Sequence, residues 1–139
     1  MLIGVTGGRK YGWMFDEENH EVENTLETWF LYDVLETFRE KYPTMELMHG
    51  GAKGADSWAH HWAVNKNIKT RVFKAEWNIY GKAAGVIRNT EMVWQKPDIV
   101  IAFPGGTGTA DMIKQSLKAE LKVIQVDPNN IEEFKCLKI

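Results

Sequence analysis

The sequence has little cysteine and no long hydrophobic run. Cys136 is the only cysteine in 139 residues, which excludes an internal disulfide and the usual clustered thiolate metal sites. Nowhere do about 18 apolar residues occur together, and the apolar start at residues 1–5 is too short for a signal-peptide core. We therefore expect a cytoplasmic protein with no membrane span, and we assign no role to Cys136.

Features typical of nucleic-acid-binding and metal-binding proteins are also missing. The formal net charge is −2 and no run of basic residues occurs, so no overall field attracts a polyanion and we disfavour nucleic acid as a partner. His60 and His61 are adjacent, but adjacent helix positions lie about 100° apart and diverge. With no third ligand nearby in sequence, we predict no metal site.

What is present is the composition of an ordinary globular protein. The chain is 44% hydrophobic and 26% charged, which is neither disordered nor fibrous in type. Its 139 residues are close to the commonest length of one domain. No repeat or long linker divides it. We predict a single domain over residues 1–139, assembled as a homo-oligomer.

Short apolar runs alternate with longer helical patterns along the chain. The strand candidates are residues 2–5, 45–48, 70–73, 99–103 and 123–126, and several are apolar at nearly every position. The helix candidates are residues 21–41, 55–65, 83–95 and 109–119. Strands that are apolar throughout are typical of a parallel sheet covered by helices. With right-handed crossovers, this order predicts an α/β fold: a doubly wound sheet of about five parallel strands with helices on both faces.

Three glycine-rich turns follow predicted strands. Gly7 and Gly8 come after the first strand, Gly50 and Gly51 after the second, and residues 104–111 after the fourth. Because the carboxyl ends of parallel strands meet at one sheet edge, we expect the turns to converge. One such turn is weak evidence, since glycine also serves a tight turn through its freedom at positive φ. Three at one edge favour a ligand site.

The chemistry of these turns favours an anionic ligand. Glycine lets backbone N–H groups approach a ligand closely, and the start of the following helix adds free donors and a positive dipole end. Lys53 and Arg88 are the cations best placed in sequence to reach a phosphate, although a solvated turn residue and a surface ion pair are the respective alternatives. Asp56 and Asp111 lie near helix starts, where a carboxylate commonly caps free N–H groups, so we expect capping for both, with a ligand role as the alternative.

The usual nucleotide motifs do not account for these turns. The pattern GxxxxGK[ST] is absent, and GxGxxG fails after the first strand. Gly106 and Gly108 supply only its first half, with Asp111 in the place of the third glycine. Neither a P-loop NTPase nor a conventional NAD dehydrogenase is therefore supported.

Three motifs in order resemble those of the SLOG superfamily. They read "GGAKGADSWAHHWA", "AEWNIYGKAAGVIRNTEM" and "IAFPGGTGTADM". Within the superfamily, the chain resembles the small YspA-like and YpsA-related proteins, over residues 2–126. The resemblance implies a Rossmann-like fold and a site for a nucleotide or nucleotide-derived ligand. Relatives include the Lonely Guy phosphoribohydrolases, the DNA-processing protein DprA, and sensor domains that recognise ADP-ribose-type signals.

The chain departs from the Lonely Guy pattern at one position. That loop reads PGGxGTxxE, and its glutamate acts at the glycosidic bond together with an arginine from the preceding helix. Pro104 and the residues up to Thr109 match the loop, and Arg88 matches the arginine, but Met112 stands where the glutamate is expected. A thioether neither stabilises an oxocarbenium charge nor activates water.

The leading hypothesis is therefore a binding or sensor protein for a nucleotide-type ligand such as ADP-ribose, NAD or a cyclic nucleotide, with no other cofactor assigned. The residues predicted to bind it are Gly7, Gly8, Arg9, Gly50, Gly51, Lys53, Asp56, Arg88, Asn89, Pro104, Gly105, Gly106, Thr107, Gly108 and Thr109. Trp77 and Tyr80 are candidates to stack on a base, or else anchor their loop.

Two alternatives remain open. The first is a hydrolase that cuts the N-glycosidic bond of a nucleoside 5′-monophosphate, with Arg88, Asp111 and Glu91 as candidate catalytic residues. The second is a DNA-associated module in the manner of DprA, against which the acidic balance argues.

Overall fold

The computed structural model describes residues 1–135, so Cys136 lies outside the described residues. The strands are β1 (Leu2–Thr6), β2 (Trp13–Phe15), β3 (Glu21–Glu23), β4 (Glu46–His49), β5 (Thr70–Val72), β6 (Ile99–Ala102) and β7 (Lys122–Gln125). The helices are α1 (Thr25–Lys41), α2 (Ala55–Asn65), α3 (Trp77–Tyr80), α4 (Ala84–Trp94), α5 (Thr107–Lys118) and α6 (Ile131–Lys135).

The central sheet has the order β5-β4-β1-β6-β7, and every neighbouring pair is parallel. From β1, the chain adds β4 and β5 on one side of the sheet and then crosses over to add β6 and β7 on the other side. The order therefore reverses between β1 and β6, and a crevice opens at the carboxyl ends of strands at such a point. The predicted Rossmann-like, doubly wound sheet of five parallel strands is confirmed.

Each face of the sheet carries its own hydrophobic core. Successive side chains of a strand point to opposite faces, so Ile99 and Ile101 belong to the larger core, which includes residues of α1 and α2. Val100 belongs to the smaller core on the other face, together with Met92 of α4 and Met112 of α5. Both faces are thus covered by helices, which explains why the strands are apolar at nearly every position.

The first helix begins later than its sequence pattern predicts. The pattern starts at residue 21, but α1 starts at Thr25, where the side chain of Asn24 caps it by accepting a hydrogen bond from the Glu27 N–H. Residues 21–23 instead form β3, antiparallel to β2. The prediction for these residues was wrong because the cap satisfies free helix N–H groups and so fixes the helix start at Asn24.

The long connection after β1 is a packed hairpin. It consists of β2 and β3, and the ring of Trp13 packs against the ring of Trp58 on α2, with 5.1 Å between the ring centroids. This contact holds the hairpin against the helix that follows the second glycine turn.

The helices of residues 1–135 are short and amphipathic. The longest, α1, has 17 residues and buries one side, which includes Phe30, Val34 and Phe38, while Leu26 and Trp29 are exposed. Within this part of the chain, no helix combines the length and apolar character needed to cross a membrane.

We expect Gly54→Ala to destabilise the fold strongly. Gly54 has a φ of +94°, and an added Cβ would overlap the carbonyl oxygen of Gly8. Since backbone strain and a backbone clash act together, the free energy of unfolding should fall by about 2 kcal/mol or more. Urea unfolding followed by circular dichroism measures the change.

Gly81→Ala is the matched control for that experiment. Gly81 also has a positive φ, +57°, but nothing lies within 4 Å of an added Cβ. The Gly81→Ala variant therefore has backbone strain without a clash, and we expect its free energy of unfolding to fall by about 1 kcal/mol. Equal losses in the two variants would show that the contact between Gly54 and Gly8 does not constrain the fold.

Candidate functional site

The structure brings the three glycine-rich turns together at the carboxyl edge of the sheet. The N–H of Gly8 donates to the carbonyl oxygen of Pro104 at 2.9 Å, and the Gly8 carbonyl accepts from the N–H of Ala55 at 3.2 Å. The guanidinium of Arg88 donates from Nη1 to the carbonyl oxygen of Gly50 at 2.7 Å. The predicted convergence of the turns is therefore a property of the fold.

Gly7 and Gly8 allow this convergence because the neighbouring turns lie too close for a side chain at either position. A Cβ on Gly7 would lie 2.5 Å from the Cβ of Ala55, and one on Gly8 would lie 3.0 Å from the Cα of Gly105. These glycines therefore serve close packing between the turns, and the turn after β1 meets the turn after β6 at the point where strand order reverses.

Gly106 and Gly108 are different, because the fold does not need a glycine at either position. Nothing lies within 4 Å of a Cβ built on either residue, and neither φ is positive. Gly106 is the N-cap of α5, and no side chain caps this helix start. The turn therefore presents an open backbone and uncapped N–H groups, the arrangement that binds phosphate at helix starts.

The two threonines of this turn are placed differently. Thr107 is exposed, whereas Thr109 is buried. A Cβ on Gly105 would overlap the hydroxyl of Thr109, so the Thr109 side chain lies directly against the backbone of the turn. Of the two hydroxyls, that of Thr107 is free to reach solvent on the open side.

Two clefts flank Gly105 and Gly106. One, of about 520 Å³, runs toward the end of β7 and includes Asp127 and Asn130. The other, of about 670 Å³, includes the cations Arg9 and Lys10. Sequence analysis had singled out Arg9 but not Lys10, although both belong to the turn that follows β1.

Arg88 and Asn89 connect the turn after β4 to the start of α5. The Nε of Arg88 donates to Oδ1 of Asn89 at 2.9 Å. The Nδ2 of Asn89 then donates to the carbonyl oxygen of Gly108 at 3.2 Å and to Oδ2 of Asp111 at 2.9 Å. Asn89 is buried, so this network fixes the open turn relative to the Gly50 turn.

The two aspartates do not cap helices. Asp111 accepts hydrogen bonds from Asn89 and from Nε2 of Gln115, the latter at 2.8 Å. The N-cap of α2 is Gly54, with no side-chain cap bond, and Asp56 accepts instead from the N–H groups of Gly50 and Ala52. The capping interpretation was wrong because both carboxylates form hydrogen bonds with neighbouring segments instead.

The carboxylate of Asp56 is buried and only half satisfied. Its Oδ2 accepts two backbone N–H groups, at 3.1 and 3.3 Å, while Oδ1 has no hydrogen-bond partner. Burial raises the pKa of this carboxyl from 3.8 to about 6, and the backbone hydrogen bonds and the Arg88 charge only partly oppose that rise.

Lys53 lies against the hairpin. Its ammonium pairs with the carboxylate of Glu21 and sits 5.2 Å from the centroid of the Trp13 ring. The Lys53 ammonium therefore lies against β2 and β3 and does not reach the turn at Gly106.

The residues named for catalysis, and the methionine in the place of the glutamate, have different surroundings. Met112 is fully buried in the smaller core, so its position on α5 faces the sheet. Glu91 is exposed and lines a small cleft of about 50 Å³ with Arg88 and Tyr80. Asp111 is held by Asn89 and Gln115, as described above.

The two candidate stacking residues are both exposed. Trp77 has 48% and Tyr80 46% of its surface accessible. The guanidinium carbon of Arg9 lies 5.2 Å from the centroid of the Trp77 ring, a cation–π contact. Arg9 thus links the turn after β1 to α3.

The structure reveals a histidine pair that sequence analysis missed. The Nε2 of His49 and the Nδ1 of His60 lie 2.9 Å apart, and the N–H of Gly51 donates to Nδ1 of His49 at 2.9 Å. Burial, together with the charges of His60 and Arg88, lowers the pKa of His49 from 6.5 to about 4. In residues 1–135, no group of three or more His, Cys, Asp or Glu side chains is placed to hold a metal ion.

We expect Asp56→Asn to remove a pH-dependent destabilisation. The native state binds a proton at Asp56 more tightly than the unfolded chain, because its pKa is about 6 rather than 3.8. Ionising it therefore lowers the free energy of unfolding of the unmodified protein as pH rises from 4 to 8. The variant should gain about 2 kcal/mol relative to the unmodified protein over that range.

Urea unfolding at a series of pH values measures this difference between the two proteins. Comparing them cancels the opposing contribution of His49, whose lowered pKa removes stability as pH falls from about 6.5 to 4. A difference that does not change with pH would contradict the raised pKa of Asp56.

Comparisons with known proteins agree with this architecture. The model of the family described as YspA, cpYpsA-related SLOG matches residues 2–80. The Gene 61 protein of Mycobacterium phage D29 is 40% identical over 85 residues, which cover 56% of this chain and 68% of the phage protein. The X-ray structure of TM1055 shares the fold, with a TM-score of 0.64 at 14% identity over 88% of this chain and 71% of that one. The chain, with its glycine turns meeting at one sheet edge, belongs to the YspA, cpYpsA-related SLOG family.

Proposed function

We propose that this protein binds a nucleotide-derived ligand, such as ADP-ribose, NAD or a cyclic nucleotide, and acts as a sensor or binding protein. The ligand's phosphate rests on the turn from Gly105 to Thr109. Family membership supports the ligand class, because SLOG proteins generally bind nucleotide-derived ligands.

One observation carries the proposal: the backbone at Gly106 and Gly108 is open where the fold leaves space for a side chain. Glycine at Gly8 or Gly105 is explained by contacts within the protein. Glycine at Gly106 and Gly108 is not, whereas a phosphate lying against the backbone accounts for both. The uncapped start of α5 and its positive dipole end favour the same ligand.

The charges beside the turn support an anionic ligand. Arg9 and Lys10 line the same cleft as Gly105 and Gly106, and the carboxylate of Glu27, which also lines it, accepts from the Gly12 N–H at 2.9 Å. Arg88 uses Nη1 and Nε within the protein, but a guanidinium has five N–H donors. Its remaining donors are available to a ligand that reaches the Gly50 side of the edge.

The contacts favour binding over cleavage of the glycosidic bond. Met112 is buried in the core, and the carboxylate of Asp111 is engaged by two amide donors. Met112 carries no carboxylate, and both of these donors bond Oδ2 of Asp111.

We expect Gly106→Asp to weaken nucleotide binding at least tenfold without destabilising the fold. A carboxylate at this position would compete with the phosphate for the uncapped N–H groups and repel it. Because the site has space for a side chain and aspartate is a good N-cap, the free energy of unfolding should change by less than about 1 kcal/mol. Calorimetric titration with ADP-ribose, NAD, cyclic nucleotides and nucleoside diphosphates gives the affinities.

Gly106→Asn is the matched control for charge. It has the same shape and also caps the helix, so any further loss in Gly106→Asp reports electrostatic repulsion of a phosphate. If no nucleotide bound, or if Gly106→Asp bound as tightly as the unmodified protein, the proposed site would be abandoned.

Incubation with nucleoside 5′-monophosphates separates binding from hydrolysis. We expect no free base above the level given by an Asp111→Asn, Glu91→Gln double variant, because the position of the usual glutamate is Met112, which is buried in the core. Chromatography of the products measures the base. Release that disappears in the double variant would instead support the phosphoribohydrolase alternative.

A further inference from the structure

A separate cleft lies on the outer side of the Gly51 turn, between α2 and the end of β5. It has a volume of about 360 Å³ and is lined by His49, Gly51, Ser57, His60, Val72 and Lys74; we call it the His60 cleft. It shares no lining residue with the two clefts that flank Gly106. The proposed nucleotide site therefore does not account for it.

The hydrogen bonds around His49 fix the proton positions on both imidazoles. A backbone N–H can only donate, so Nδ1 of His49, which accepts from Gly51, carries no proton. The proton of a neutral His49 therefore sits on Nε2 and is donated to Nδ1 of His60. Since Nδ1 of His60 accepts, the proton of His60 sits on Nε2. His60 is thus held as a neutral donor toward the cleft that it lines.

The polar groups of the His60 cleft suit an anion. Lys74 is exposed and has no ion-pair partner within 4.0 Å in residues 1–135. Its aliphatic stem packs over Gly51, because a Cβ there would lie 3.2 Å from the Cγ of Lys74. The Ser57 hydroxyl already donates to the carbonyl oxygen of Ala52, so its oxygen can accept a hydrogen bond from a ligand.

The absence of carboxylates distinguishes the His60 cleft from four other clefts of residues 1–135. Each of those four is lined by at least one aspartate or glutamate. No carboxylate lines the His60 cleft, although the whole chain carries a net charge of −2. An anion there meets an ammonium and a fixed N–H donor without a repelling charge in the lining.

We propose that the His60 cleft is a second phosphate-binding subsite, in which Nε2–H of His60 and the ammonium of Lys74 hold a phosphoryl group. When the group is free phosphate, a protonated oxygen donates a hydrogen bond to the hydroxyl oxygen of Ser57. The group comes either from free phosphate or from a nucleotide that also reaches the Gly106 turn. The proposal stands on the cleft's own residues and does not require the nucleotide site.

Titration with inorganic phosphate, followed by NMR of ¹⁵N-labelled histidine, tests the proposal. We expect a saturable shift of Nε2 of His60, and at least a tenfold weaker response in Lys74→Met, which retains the stem over Gly51. His61→Gln is the control, because the adjacent His61 pairs with Asn65 and does not line the cleft. The variant should leave the His60 response unchanged.

The same titration in Gly106→Asp separates this subsite from the proposed nucleotide site. The His60 response to inorganic phosphate should persist, even if no nucleotide binds the protein at all. Loss of nucleotide affinity in Lys74→Met would identify the phosphoryl group as part of the nucleotide, and unchanged affinity would identify free phosphate. No His60 shift, a shift that survives Lys74→Met, or one abolished by Gly106→Asp would overturn the proposal.

Discussion

The contact between the turn after β1 and its neighbours is the constraint on which the rest of the site depends. Gly8 donates to Pro104 and accepts from Ala55, so one residue joins the turns after β1 and β6 to the start of α2. A side chain at Gly7 or Gly8 would push these segments apart. Because β1 and β6 are neighbours where strand order reverses, this contact places the open start of α5 at the crevice.

A second set of contacts holds the far side of the edge. Arg88 reaches the carbonyl of Gly50, and Asn89 reaches Gly108, so α4 joins the second turn to the third. Burial of Asp56 beneath the Gly50 turn is unfavourable to its charged form, and the Arg88 charge partly offsets that penalty. Much of the polar chemistry at this edge therefore holds the turns in place, while the N–H groups at the start of α5 remain without a side-chain cap.

Sequence reasoning located the turns but misjudged several side chains. The five strands could be predicted because strands buried on both faces leave continuous apolar runs. The start of α1 could not, because residues 21–23 have a helical pattern yet pair with β2. The ion pair of Lys53 with Glu21 could not be predicted either, although Lys53 lies within the first motif, because the hairpin that supplies Glu21 is built from residues about 30 positions earlier.

The sequence by itself determined the parallel sheet, the three glycine turns at its carboxyl edge and the methionine in place of a glutamate, since each follows from residue type and order. Only the tertiary structure decided which glycines serve packing and which leave open backbone, because that depends on neighbours distant in the chain. It also brought His49 beside His60. That pairing leaves no pattern in the sequence, because it requires the end of β4 to lie against the middle of α2.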